Sequence, residues 1–219
     1  MTTNLITIAD PRSPAAEAYR SLRINLELMN QDQSLHTLLV TSPGPDEDKS
    51  TTLANLAVCW AQIGRQVILA DCDLRYPRQH LIFGLDNERG ITTALQKEGG
   101  EVLLQQTGVE GLRVLTSGPL PEVPADFISS SRMTMIVQQL RDRADIVLFD
   151  APPILSAADA AVLATRVDGV LLVVNANSTR REHAERARQL LEKVHAKLIG
   201  AVLTGVPQET ALYQYYRKG

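Results

Sequence analysis

Lys49, Ser50 and Thr51 close an acidic, proline- and glycine-containing stretch, SPGPDEDKST, that lies between an apolar run (Leu38, Leu39, Val40) and a long helical pattern, TLANLAVCWAQI. Strand, loop and helix in that order make a phosphate cradle. Loop N–H groups and the positive end of the helix converge on one spot, a lysine at the position of Lys49 can reach terminal phosphates, and a hydroxyl such as that of Ser50 can sit on Mg²⁺. Three acids stand at the ends of other apolar runs. Asp71 and Asp73 alternate just past VILA and project toward the crevice where open α/β sheets bind ligands, and Asp150 ends IVLF, where a carboxylate holds Mg²⁺ or positions water. The match to a phosphate loop is incomplete. Asp48 stands where glycine usually precedes the lysine, and with Asp46 and Glu47 it would set three carboxylates against a polyphosphate. An acidic surface turn ahead of a helix is the competing reading of this stretch alone.

The elements that must position these residues follow from periodicity. Buried strands are expected over 38–40, 66–70, 112–115, 146–149, 170–174 and 198–203, separated by helical patterns that include 91–97, 132–143 and 180–194. Ser13-Pro14 starts an earlier helix whose Ala15, Tyr19, Leu22, Leu26 and Met29 form an inward stripe, with Glu17, Arg20 and Arg23 on the other face. That face is either solvated or able to form reciprocal ion pairs with a second copy. Pro119, Pro121 and Pro124 are expected to break regular structure before the helix near 132, and Asp159 reads as an acid in a helix's first turn. Strands alternating with helices predict one domain of the α/β class, a doubly wound, mostly parallel sheet of the P-loop NTPase type.

Composition narrows the function classes. With 219 residues, 44% of them hydrophobic, the chain can bury a sizeable core, and a net charge of −3 with dispersed basic residues argues against nucleic-acid binding. Two cysteines and four histidines have no metal-ligand spacing. No apolar run approaches the ~20 residues of a membrane span and the N-terminal stretch is polar, so a cytoplasmic protein is expected.

Taken in order, GPDEDKST, VILADCDLR and IVLFDAPP resemble the Walker A, A′ and B motifs of the bacterial tyrosine kinases of capsule and exopolysaccharide synthesis. The likeness covers nearly the whole chain: EAYRSLRINL from Glu17 looks like the family's subunit-contact helix, Gly90 to Leu95 resembles its Gly-Leu element, and the tail resembles its tyrosine cluster. The resemblance implies an ATP- and Mg²⁺-dependent protein-tyrosine autokinase that regulates polysaccharide polymerisation and export. It implies phosphate contacts from Lys49 and Thr51, with Gly44 and Asp48 in the same nucleotide-binding loop. Ser50, Asp73 and Asp150 would hold Mg²⁺, and Asp71 would be the base toward a tyrosine hydroxyl. Glu17, Arg20 and Arg23 would close a head-to-tail ring in which one copy phosphorylates Tyr213, Tyr215 and Tyr216 of the next. A separate membrane-embedded adaptor would recruit the protein to the inner face of the membrane. Residues 1–35 would then be the contact segment, 36–206 the nucleotide-binding core and 207–219 the acceptor tail.

Departures keep two alternatives open. Besides Asp48, Thr204 stands where a base-contacting asparagine is usual, and Pro121-Glu122-Val123-Pro124 only partly resembles the family's proline-rich element. A pseudokinase or ring subunit with weak nucleotide binding accommodates Asp48 and Thr204. A partitioning-type ATPase switch shares the general plan but usually carries a lysine early in the loop, where Pro43 and Gly44 stand here.

Overall fold

The structure, a computed structural model, describes residues 4–29, 35–96 and 100–206. At its centre are three strands whose interior positions are all apolar: β1 (Thr37–Thr41), β2 (Val67–Asp71) and β5 (Ile146–Asp150), every residue of which is buried. Such near-continuous apolar runs are what parallel strands covered on both faces require. They lie in a seven-stranded sheet of order β3-β4-β2-β5-β1-β6-β7, completed by β3 (Gln105–Gln106), β4 (Leu112–Leu115), β6 (Gly169–Asn175) and β7 (Leu198–Thr204). All pairings are parallel except β3 with β4.

The pleat divides the core in two. Leu38 and Val40 of β1 pack with α2 (Pro14–Leu28) and α3 (Lys49–Ala61), whereas Leu39 faces α6 (Pro124–Ser129), α7 (Ser131–Arg141), α8 (Ala158–Ala164) and α9 (Arg181–Lys193). This is the doubly wound arrangement. α3 is covered by the sheet and by α2, which explains why its sequence is apolar on every side rather than striped. α2 starts as its sequence dictates: Ser13 Oγ accepts from the Ala16 N–H at 3.2 Å and Pro14 occupies the first turn. Its stripe is shorter than expected. Leu26 is buried, but Met29 is the C-cap and exposed, because the helix ends before a further turn can pack.

A short helix, α1 (Ile6–Ala9), precedes α2 and is tied to α3 by Asn55, whose Oδ1 accepts from the N–H and hydroxyl of Thr7. Between β2 and β4 lie α4 (Gln79–Phe83) and α5 (Ile91–Gln96). α5 begins against the end of β4, where a Cβ on Gly90 would come within 2.2 Å of the Thr116 carbonyl oxygen. Only glycine allows that approach. Pro124 does not break structure as expected: it is the first residue of α6, where its missing N–H costs nothing. Among the described residues no helix is long and apolar enough to cross a membrane.

Candidate nucleotide and phosphoryl-transfer site

Parallel strands deliver their C-terminal ends to one edge, and the acids sit there by register. Asp150 is opposite Val40 on β1 and opposite Asp71 on β2, so β5 carries its carboxylate beside both the phosphate loop and Asp71. Above this edge opens a cleft of about 780 Å³, lined by residues that include Pro45 to Thr51, Asp73, Arg75, Tyr76, Arg78 and Pro152-Pro153. Lys49 reaches down from the first turn of α3. Its Nζ lies 2.9 Å from Asp73 Oδ2, 3.0 Å from Asp150 Oδ1 and 3.2 Å from Ser50 Oγ. Burial alone would lower the Lys49 pKa, but the facing carboxylates of Asp150 and Asp73 more than reverse that, and the ammonium is held charged above its ordinary range.

The loop keeps a phosphate-receiving shape despite its acids. Asp46 and Asp48 both adopt the left-handed conformation, at φ 59° and 60°, which glycine enters freely and other residues enter at a cost that aspartate bears better than most. Both side chains are exposed, whereas Glu47 between them is buried. Glu47 therefore does not join a three-acid wall: its Oε2 turns away to accept from the Asn175 N–H and the Thr179 hydroxyl. Among the described residues, no bond takes up the N–H groups of Asp48, Lys49, Ser50 and Thr51, the donors that a helix start leaves unpaired.

Asp71, expected as the base, lies beneath the cleft floor and not in its lining. Its Oδ2 accepts from the N–H groups of Arg78 (3.0 Å) and Gln79 (2.9 Å), and its Oδ1 from that of Asp73 (3.3 Å). Burial first, and then the adjacent Asp150 carboxylate, push its pKa well above the carboxylate range, against the opposing pull of the Gln79 N–H and Lys49. An acid whose folded pKa is raised destabilises the fold where it is ionised, so its contribution is most favourable below about pH 4 and worsens as pH rises through the folded value. Asp71→Asn should accordingly raise the melting temperature relative to wild type more at pH 8 than at pH 5, as thermal scans at both would record; a gap that widens on acidification would contradict this.

Two residues bind the site together without having been expected in it. Gln79, fully buried at the start of α4, donates from Nε2 to Asp150 Oδ2 at 2.7 Å and to the Ser50 carbonyl at 3.1 Å, leaving its Oε1 buried without a partner. Arg75 pairs with the buried Asp159 at 3.0 Å, so Asp159 anchors the β2–α4 segment as well as starting α8. Thr51 lines the cleft, whereas Gly44 and Thr204 do not. The Thr204 hydroxyl instead donates to the Glu47 carbonyl at 3.1 Å, behind the loop. Glu17 pairs with Arg20 (2.7 Å) and Arg23 with Glu27 (2.8 Å) along α2 itself. Tyr213, Tyr215 and Tyr216 lie outside the described residues.

The chemistry of this set fits a nucleotide and a hard cation. Unpaired N–H groups with an ammonium suit phosphate oxygens, and Ser50 Oγ, Asp73, Asp150 and the orphaned Gln79 Oε1 are all oxygen donors. Among the described residues no group of three or more His, Cys, Asp or Glu could hold a metal by itself.

Residues 47–200 match the family model AAA_31, an AAA domain. Tyrosine-protein kinase YwqD of Bacillus subtilis (strain 168) is 40% identical over 218 residues, covering 99% of this chain and 92% of that protein. The chain belongs to the bacterial tyrosine-protein kinase family. Within this family of P-loop proteins of capsule and exopolysaccharide synthesis, the putative tyrosine-protein kinase CapB of Staphylococcus aureus is 35% identical over 209 residues, 94% of this chain and 92% of its own. The kinase domain of the Escherichia coli tyrosine kinase ETK superposes with a TM-score of 0.91 at 29% identity, covering 96% of this chain and 83% of that one. The fold is thus shared with a kinase domain of this family, and this chain carries it with Asp48 in the loop.

Proposed function

We propose that the chain is a Mg·ATP-dependent protein-tyrosine kinase acting on tyrosines of its own kind, in control of exopolysaccharide or capsule polymerisation and export. The observation that carries this is the convergence on Lys49 Nζ, from α3, of Asp73 just past the end of β2 (2.9 Å) and Asp150 at the end of β5 (3.0 Å), at a cleft of nucleotide size. In this reading the loop N–H groups, Lys49 and Thr51 hold the phosphates, and Ser50, Asp73 and Asp150 hold Mg²⁺, which would neutralise charge on the transferring group. The tyrosine oxygen bonds to the terminal phosphorus, the bond to the bridging oxygen breaks, ADP leaves, and the tyrosine proton passes to Asp71. A raised pKa suits Asp71 to that task, and its reach to the cleft requires the Arg78 and Gln79 N–H groups to lift away. Calorimetric titration with Mg·ATP followed by phosphotyrosine detection tests the assignment: binding with tyrosine labelling supports it, and no binding rejects it.

The same reading divides the chain into a contact segment (1–35), a nucleotide core (36–206) and an acceptor tail (207–219) carrying Tyr213, Tyr215 and Tyr216. It places the protein in the cytoplasm, in a head-to-tail ring docked on a separate membrane-embedded adaptor. The half-buried intrahelical pairs of Glu17, Arg20 and Arg23 do not preclude a ring, since pairs three or four residues apart on a helix contribute only ~0.2–0.5 kcal/mol each and can be exchanged for partners on a neighbour. Replacing all three with alanine should leave a folded monomer by light scattering where wild type forms closed rings. A monomeric wild type would reject the ring, and an unchanged ring in the variant would reject these contacts.

A further inference from the structure

We infer that Glu47 is a positioning residue whose carboxylate staples the phosphate loop to the turn that follows β6 and holds it in its anion-receiving shape. Glu47 is 4% exposed although it stands between two exposed aspartates in an acidic loop. Its Oε2 accepts from the backbone N–H of Asn175, at the end of β6, and from the hydroxyl of Thr179, before α9. Its own carbonyl accepts from Thr204 at the end of β7. Side chain and backbone of one loop residue are thus tied to two different strands, from positions 128 to 157 residues away.

The turn that receives the carboxylate is itself braced. Asn175 Oδ1 accepts from the Asn177 N–H, the Thr179 N–H donates to the Asn175 carbonyl, and Asn177 Nδ2 donates to the carbonyl of Gly205. Among the described residues the donors to the Glu47 carboxylate are neutral, the Asn175 N–H and the Thr179 hydroxyl. A buried carboxylate held by neutral donors is a poor device for stability, because its desolvation is only partly offset. The arrangement makes sense if what it secures is shape. On either side Asp46 and Asp48 are held at positive φ, a conformation their Cβ atoms resist, so the loop needs an external hold to keep the N–H groups of residues 48–51 convergent. Glu47 supplies that hold and would act on nucleotide through the loop, without touching it.

This inference rests on the reading that the loop binds phosphates, so the test includes a probe that has only phosphates. Full-length Glu47→Ala, Glu47→Gln and Thr179→Ala are titrated with Mg²⁺-tripolyphosphate and with Mg·ATP. Glu47→Ala should weaken both by about tenfold or more, the scale of a lost charge-assisted hydrogen-bonded contact. Glu47→Gln should stay within roughly threefold of wild type, since an amide oxygen still accepts from both neutral donors, and Thr179→Ala should fall between. In wild type the Asn175 and Thr179 amide resonances should shift when tripolyphosphate binds, and in Glu47→Ala they should not. A residue needed only for stability would change the melting temperature and leave the affinity of the folded protein and this coupling intact. Wild-type affinity in Glu47→Ala overturns the staple alone; should that variant not fold, wild-type affinity in Thr179→Ala overturns it equally. If wild type binds neither probe, the staple and the nucleotide reading fall together.

Discussion

Asp48→Gly should bind Mg·ATP at least about tenfold more tightly than wild type and should not melt lower. Two separate effects are involved. Asp48 holds a left-handed conformation in the folded chain, so the cost of a side chain there is met on folding and its removal acts on stability. Glycine relieves roughly 1 kcal/mol of that strain but returns a similar amount as entropy of the unfolded chain, leaving a small net gain or none. The gain in affinity is electrostatic. Like charges about 5 Å apart repel by roughly 3 kcal/mol at an effective dielectric near 20, and even half of that, allowing for the exposure of Asp48, is about tenfold. Asp46 is not the neutral comparison that its distance from Lys49 would make it, because it shares the left-handed conformation; Asp46→Gly should therefore resemble Asp48→Gly in stability and differ in affinity. Calorimetry and thermal scans on both variants separate the two effects. Equal, tight Mg·ATP binding by wild type and Asp48→Gly would mean that the exposed carboxylate points clear of the phosphates.

Lys49→Met should lose tyrosine phosphorylation altogether and lose stability as well, an unusual pairing for a loop residue at a cleft. The ammonium lies between Asp73 and Asp150, both almost fully buried, with Asp71 beside them. Taking away the cation leaves buried carboxylates uncompensated, at a cost of about 3–5 kcal/mol, which for a chain of this size lowers the melting temperature by roughly 6 to 20 °C. The pH dependence has a definite sign. In wild type the Lys49 pKa is raised above its unfolded value of 10.5, so its contribution is present throughout the neutral range and fades only in strong alkali. In the variant Asp71, already raised by burial and by Asp150, loses the opposing pull of Lys49, so the deficit should shrink as pH falls and Asp71 protonates. A Lys49→Met protein that melts like wild type at pH 7.5 would show that the three charges are not held together in solution.

The division between what was legible in the sequence and what was not follows chain distance. Lys49-Ser50-Thr51 and Asp150 could be placed because a strand, a turn and a helix start are local features, and parallel strands bring their ends to a common edge. The buried strands β1, β2, β5 and β6 stood out for the same reason, as apolar runs that a two-sided sheet requires, whereas the similar run at 198–203 is not the buried strand expected: β7 lies at the edge of the sheet, where Ile199 is its one buried residue and Leu203 is exposed. Asp71 and Asp73 show the limit. Alternation sends both toward the edge, but it cannot reveal that the chain folds back at Arg78 and Gln79 and covers Asp71 with backbone donors while Asp73 stays in the cleft lining. Gln79 is an ordinary polar residue in a weak pattern until its contact with Asp150, 71 residues away, is known. Glu47 misled for a related reason: three adjacent acids read as one surface, and only Asn175 and Thr179 turn the middle one inward. Pro124 reads as a breaker in the sequence because nothing local distinguishes a proline that ends structure from one that begins a helix.

The central claim is that this site moves phosphate from Mg·ATP to tyrosine, and following both products at once tests it most directly. Wild type and Asp71→Asn, each shown to be folded and to bind Mg·ATP, are incubated with it while ADP release and phosphotyrosine on Tyr213, Tyr215 and Tyr216 are measured together. Asp71 is felt mainly at the transition state as the proton acceptor, so the variant should keep its nucleotide affinity and lose labelling by about a hundredfold or more. The predicted result is phosphotyrosine formed in step with ADP by wild type and nearly absent from Asp71→Asn. Steady ADP release by wild type with no phosphotyrosine would contradict the account and make the protein an ATPase switch on the same fold.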